Sequence, residues 1–259
     1  MTLLVLTNDD GFGAPGINAL EAALFHDEFT KYSAGSGAVS GAASSAGSST
    51  AAPDKIQCVT VAPDAPHSGC SHQMNRGGAI AIDERAQGRY AIGGTPADCS
   101  RVAISHLYPD ADWVLSGINA GGNMGSDVYL SGTVAAVREA VLLRKRAIAL
   151  SQYHYRNQPF DWARASRLSA RVLAQLMAMP LPVGQFWNVN LPAPPLDGSA
   201  DDPEIVFCQG CTQPLPIEFV VDEAGFRYAG AYEDRLRDPK SDVDVCLSGR
   251  ISVVKVQMW

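Results

Sequence analysis

Two adjacent carboxylates, Asp9 and Asp10, follow an aliphatic run and precede Gly11. Neighbouring carboxylates repel unless a cation compensates them, and hard oxygen donors suit Mg²⁺ or Mn²⁺. The stretch Asn8-Asp9-Asp10-Gly11 also reads as an Asp-rich turn capping the next helix, with Gly11 permitting the turn. A second polar segment runs from Ala62 to Ser71. Its Ser68 offers a neutral oxygen to a metal, and the N–H groups around Gly69 offer donors to an anion. Pro, Ser and Gly are also ordinary loop residues. In Gly94-Thr95-Pro96-Ala97-Asp98, Thr95 occupies an N-cap position, Pro96 the first helical position and Asp98 the reciprocal capping position. Capping is the leading reading there, and a helix N-terminus on a ligand face binds phosphate as well.

The most informative segment is Ser116-Gly117-Ile118-Asn119-Ala120-Gly121-Gly122-Asn123-Met124-Gly125-Ser126-Asp127, followed by Ser131-Gly132-Thr133. Its glycines allow close backbone approach and expose N–H donors. It lacks the Gly-Lys-Ser/Thr ending of a Walker A loop and does not match G-x-G-x-x-G. Asn119 can give a carbonyl oxygen to a metal, and Ser131-Gly132-Thr133 can hold an anion at the positive end of the next helix. A Gly-rich surface loop without a ligand is the alternative. His67 and His72 suggest zinc, but the five histidines form no ligand-spaced cluster with cysteine.

These residues need a scaffold that brings loops together. Short β-branched or aliphatic runs alternate with helical patterns, the sequence form of βαβ units and a mostly parallel α/β sheet. Strands are predicted at Thr2 to Thr7, Ile56 to Val61, Gly78 to Ile82, Arg89 to Ile92, Asp112 to Leu115, Ala147 to Ser151 and Phe186 to Leu191. Helices are predicted at Pro15 to Tyr32, from Thr95, at Thr133 to Arg144 and at Phe160 to Met179. In such a sheet ligands bind at the carboxyl ends of the strands, where the four polar segments fall. Residues 33 to 52 are Gly, Ala, Ser or Thr except Val39, which predicts a mobile surface insertion. Beyond residue 200 short strand-like runs without long helices predict β-hairpins, with a short helix near Ser241 to Leu247. The expected division is a catalytic domain over 1–200 and a β-rich, oligomerising extension over 201–259.

With 259 residues, 46% hydrophobic and 18% charged, the chain has the composition of a globular protein. A net charge of −7 argues against coating a nucleic-acid polymer through a basic face, and leaves room for a nucleotide-sized ligand. No apolar run reaches the roughly 18 to 20 residues that span a bilayer. The N-terminal aliphatic run reads as a strand and not as a signal peptide. Six scattered cysteines suit a reducing cytoplasm better than a disulfide scaffold. Cys208 and Cys211 form a lone C-x-x-C, read as structural.

The blocks Asn8-Asp9-Asp10-Gly11, Ala14-Pro15-Gly16, Ala62-Pro63-Asp64 with Ser68-Gly69, Gly94-Thr95-Pro96-Ala97-Asp98-Cys99, Ser116-Gly117-Ile118-Asn119-Ala120-Gly121 and Ser131-Gly132-Thr133-Val134-Ala135-Ala136 together resemble the SurE family of survival-protein nucleotidases. The match covers residues 1 to about 151, and Asn188-Val189-Asn190-Leu191-Pro192 is similar to the family's next strand. The resemblance implies a Rossmann-like catalytic domain hydrolysing nucleoside 5′- and 3′-monophosphates, sometimes short polyphosphate. It implies one Mg²⁺ or Mn²⁺ per subunit on Asp9, Asp10, Ser68 and Asn119. On the chemistry of the pair, one of the two aspartates serves as general base, with direct carboxylate attack the alternative. Phosphate is expected on Asn8, Gly69, Ser131, Gly132 and Thr133, and a homodimer or homotetramer is implied. The Gly/Ala/Ser tract and His67 depart from the family pattern. After residue 200 the match thins to Ser241-Asp242 and Gly249-Arg250-Ile251-Ser252. The competing readings are a nucleoside hydrolase with paired Asp and a non-catalytic nucleotide-binding module.

Overall fold

Nearly every residue of the first aliphatic run is apolar because β1 (Thr2–Thr7) lies inside a sheet covered on both faces. Its alternation sorts the side chains. Leu4 and Leu6 pack with α1 (Pro15–Leu24) and α4 (Trp162–Met177), and Val5 packs with α2 (Pro96–Val102) and α3 (Gly132–Leu142). This computed structural model describes residues 1–30, 56–155, 158–195 and 201–259.

The main sheet has nine strands in the order β3-β4-β2-β1-β5-β6-β7-β11-β8. These are β2 (Ile56–Pro63), β3 (Ile82–Ala86), β4 (Arg89–Ile92), β5 (Trp113–Ala120), β6 (Arg146–Gln152), β7 (Gln185–Leu191), β8 (Ile205–Cys208) and β11 (Ile251–Gln257). β4, β2, β1, β5, β6 and β7 run parallel, so their carboxyl ends share one edge. β11 enters antiparallel to β7, and β8 lies parallel to β11. The order reverses at β1, whose two parallel neighbours are β2 and β5, and such a switch point opens a crevice at the carboxyl ends. The segment after residue 200 thus supplies two strands and α5 (Asp242–Leu247) to the main body. It also supplies a separate hairpin, β9 (Phe219–Asp222) and β10 (Gly225–Tyr228), that exposes Val221, Phe226 and Tyr228.

Three predicted elements differ from the structure. The helix expected from Pro15 to Tyr32 stops at Leu24, and residues 27–30 are helical again after a break at Phe25 and His26. The remainder of that range, and the tract at 33–52, lie outside the described residues. The strand expected at Gly78 to Ile82 begins only at Ile82. Asn75 Oδ1 accepts from Gly77 N at 3.2 Å and Gly78 N at 3.0 Å, which ties those residues into a turn. The strand expected at Asp112 to Leu115 runs on to Ala120, with its register against β6 shifted between Ser116 and Asn119.

Candidate active site

At the carboxyl end of β1 the chain delivers Asn8, Asp9 and Asp10 into the crevice. Asn8 Nδ2 donates to Gly11 O at 2.8 Å, closing the turn, and Phe12 N donates to Pro63 O at 2.7 Å, docking it on the end of β2. His67 N donates to Asp9 O at 2.7 Å, Cys70 N to His67 O at 3.2 Å and Ser71 N to Leu130 O at 3.0 Å. The turn carrying Ser68 and Gly69 is therefore clamped between Asp9 and the residues before α3. Ser68 and Gly69 themselves are exposed.

Asp9 is 4% exposed, and its Oδ1 accepts a short hydrogen bond from Thr133 Oγ1. Thr133 is the second residue of α3, whose N-cap is Ser131, with Ser131 Oγ accepting from Val134 N at 3.1 Å. The helix N-terminus therefore meets the Asp9 carboxylate. Gly132 makes this possible: a Cβ there would stand 2.8 Å from both Cβ and Oδ2 of Asp9 and 3.0 Å from Cys70 Sγ. Asp10 is less buried, and its Oδ2 accepts from Ala120 N at 3.2 Å, which sets it beside Asn119 at the end of β5. Asn119 Nδ2 donates to Gly121 O at 2.8 Å.

Burial pushes the Asp9 carboxyl up to about 6, against the hydrogen bond from Thr133, with the neighbouring Asp10 charge adding to the rise. Burial also raises Asp10, against the Ala120 N–H. Two desolvated carboxylates at one point carry more negative charge than the protein around them compensates. The buried Asn8 Oδ1 has no hydrogen-bond partner among the described residues. A hard divalent cation fits this surplus of oxygen donors. Of the predicted phosphate-binding groups, the Ser131 and Thr133 hydroxyls already serve the helix cap and Asp9. The Thr133 backbone N–H is likewise taken by Asp9, which leaves Gly69 and Gly132 as sources of N–H donors.

The capping box at Thr95 and Asp98 is formed as expected. Its helix end is occupied by the protein itself, since Asn75 N donates to Asp98 Oδ1 at 3.1 Å and Thr95 Oγ1 to Gln73 O at 2.7 Å. His72 Nε2 lies 3.0 Å from Oε2 of Glu139, a buried residue of α3 that Arg101 also pairs. Burial works to raise Glu139, but His72 and Arg101 hold it below the usual carboxylate range. Sequence reasoning missed this tie between the Ser68 turn and α3, and missed Thr133 as the partner of Asp9. It used Asn188 and Asn190 only for their likeness to the family and gave their amides no role, although two Asn alternating with apolar residues in a buried strand was a visible signal.

Residues 41–213 match the family model described as survival protein SurE. A protein from Synechocystis sp. (strain ATCC 27184 / PCC 6803 / Kazusa), named as a putative 5′-nucleotidase, is 43% identical over 254 residues, covering 98% of this chain and 99% of its own. The 5′/3′-nucleotidase SurE of Yersinia enterocolitica serotype O:8 / biotype 1B is 36% identical over 224 residues, covering 81% of this chain and 76% of its own. The crystal structure of the SurE protein from Aquifex aeolicus superposes with a TM-score of 0.76 at 24% identity, covering 99% of this chain and 94% of that one. That likeness bears out the α/β fold with its mostly parallel sheet. With the family model spanning most of the sequence and a relative aligned over nearly its whole length, the chain belongs to the SurE family.

Proposed function

We propose that this protein is a metal-dependent 5′-nucleotidase that hydrolyses nucleoside 5′-monophosphates to nucleoside and inorganic phosphate, and takes 3′-monophosphates and short polyphosphate as well. The observation that carries this reading is the pair Asp9 and Asp10, both desolvated at the switch point of the sheet, with Thr133 on one and Ala120 N–H on the other. Relatives named as nucleotidases across almost the whole chain support it.

Asp9, Asp10, Ser68 and Asn119 would hold one Mg²⁺ or Mn²⁺ per subunit. Bound there, it would supply charge neutralisation for phosphoryl oxygens and a lowered pKa for the attacking water. Asp9, fixed by Thr133 and the start of α3, anchors the site. Asp10, more open and engaged through Oδ2 only, takes the proton of the attacking water at Oδ1. N–H groups at Gly69 and Gly132, with the Asn8 amide, receive the phosphate oxygens as charge redistributes, while the Thr133 N–H and hydroxyl stay on Asp9. Positioning alone does not suffice, because uncatalysed phosphate-monoester hydrolysis is slow enough for accelerations of up to about 10²¹.

The exposed apolar hairpin β9–β10 provides a contact surface for a homodimer or homotetramer. The six free thiols suit a reducing cytoplasm. No described helix is long and apolar enough to cross a membrane. Incubation with AMP and GMP plus Mn²⁺ tests the reading. Inorganic phosphate is the expected product; free base would indicate a nucleoside hydrolase, and no turnover a binding module.

A further inference from the structure

Asn188 and Asn190 stand two apart on β7, on one face of the sheet, and both are fully buried. Their amides close on a single residue of the Gly-rich segment. Asn123 N donates to Asn190 Oδ1 at 2.8 Å, and Asn123 O accepts from Asn188 Nδ2 at 2.9 Å and Asn190 Nδ2 at 3.1 Å. The Asn123 side chain donates through Nδ2 to Ser151 Oγ at 2.8 Å. Buried amides are costly unless paired. Asn123 is thus gripped through its main-chain N–H, its carbonyl and its side chain, which fixes one end of the segment.

The other end is Asn119. Between the two, Gly121 N donates to Gln152 O at 3.0 Å, and Gly121 O receives Asn119 Nδ2 at 2.8 Å. With its nitrogen so occupied, the Asn119 side chain has its oxygen to offer a cation. The strand register sets Asn119 beside Ser151 and Ser151 beside Asn190, so the grip on Asn123 is built on the strand next to the one carrying Asn119 and on the strand beyond it.

We propose that Asn190, together with Ser151 and Asn188, is a positioning residue for the metal site, holding Asn123 so that Gly121 O keeps the Asn119 carbonyl oxygen turned to the cation. This rests on the reading of Asn119 as a ligand. Groups that orient a metal ligand cost about 10- to 100-fold in affinity when removed. A purely packing role would instead change the melting temperature and leave metal affinity alone.

The test is Mn²⁺ binding to the purified full chain, read from the electron paramagnetic resonance signal of free Mn²⁺, with thermal melting and AMP hydrolysis alongside. Asn190→Leu removes both bonds to Asn123, and Ser151→Ala removes the acceptor for its side chain. Both should bind Mn²⁺ about tenfold or more weakly, and recover kcat to within about threefold once Mn²⁺ is saturating. Ser252→Ala is the control, since Ser252 faces Asn190 in the register and its hydroxyl has no partner among the described residues. It should bind Mn²⁺ like the parent. Folded Asn190→Leu and Ser151→Ala proteins with parental affinity overturn the inference while leaving the proposed function intact. So does a Ser252→Ala protein weakened to the same extent. If Asn190→Leu fails to fold, Ser151→Ala decides alone. A parent that binds no Mn²⁺ removes the metal reading itself, and the inference with it.

Discussion

The hydroxyl of Thr133 donates to Asp9 Oδ1 across 124 residues of sequence, so the first turn of α3 and the end of β1 act as one unit. Thr133→Val keeps the shape and removes the donor. Mn²⁺ affinity should fall about tenfold or more, as for other groups that orient a ligating carboxylate, with little change in melting temperature. Thr133→Ser should restore most of it. Titration calorimetry of the three proteins checks this.

The raised Asp9 carboxyl makes the metal-free protein sensitive to pH in a defined direction. Its folded-state value of about 6 exceeds the 3.8 of the free group, so the folded state binds the proton more tightly between those values. Stability should therefore fall as pH rises from about 4 to about 6 and stay lower above that, by an amount on the order of 3 kcal/mol. Asp9→Asn should remove the larger part of this fall and leave the part due to Asp10, which burial also raises. Denaturant titrations of chelated parent and variant at pH 4.5 and 7 measure it. A parent and variant with the same pH dependence would show that Asp9 is not the group responsible.

Gly132→Ala would drive a methyl group into the Asp9 carboxylate and the Cys70 thiol. The expected result is a folded protein with phosphate release from AMP reduced by at least about tenfold, since small misplacement of a reacting group is costly. Activity equal to the parent would mean that the Asp9 carboxylate position does not matter.

The loops were readable because each is a local pattern: β1 ends where its aliphatic run meets Asn8, and the Thr95 and Asp98 box follows from three-residue spacing. The extension of β5 to Ala120 was not readable. Its Gly117 and Asn119 look like loop residues, and only the pairing of Ser116, Asn119 and Ala120 with β6, across a register shift that takes in Gly117, makes the segment strand. Ile82–Ala86 carries no alternation because all five residues are exposed at the sheet edge. The contacts of Thr133 with Asp9, His72 with Glu139 and Asn190 with Asn123 join segments 124, 67 and 67 residues apart, and no local period encodes them.

Cys208 and Cys211 also separate pattern from role. Burial pushes the Cys208 thiol up to about 11, which leaves little thiolate at neutral pH, and Cys211 Sγ accepts from Asp238 N at 3.4 Å as a packing group would. The double substitution Cys208→Ser with Cys211→Ser should keep kcat/KM for AMP within a few-fold. Lost turnover in a folded variant would reveal a redox or metal role for the pair.

The central claim is that Asp9 and Asp10 act by holding a cation. Phosphate release from AMP should stop when the parent is chelated and verified metal-free, and return on adding Mn²⁺ or Mg²⁺. Asp9→Asn and Asp10→Asn should each remain folded yet lose turnover by orders of magnitude, because each removes an anionic ligand while preserving shape. Full activity in the metal-free parent, or in a protein carrying both substitutions, would contradict the account.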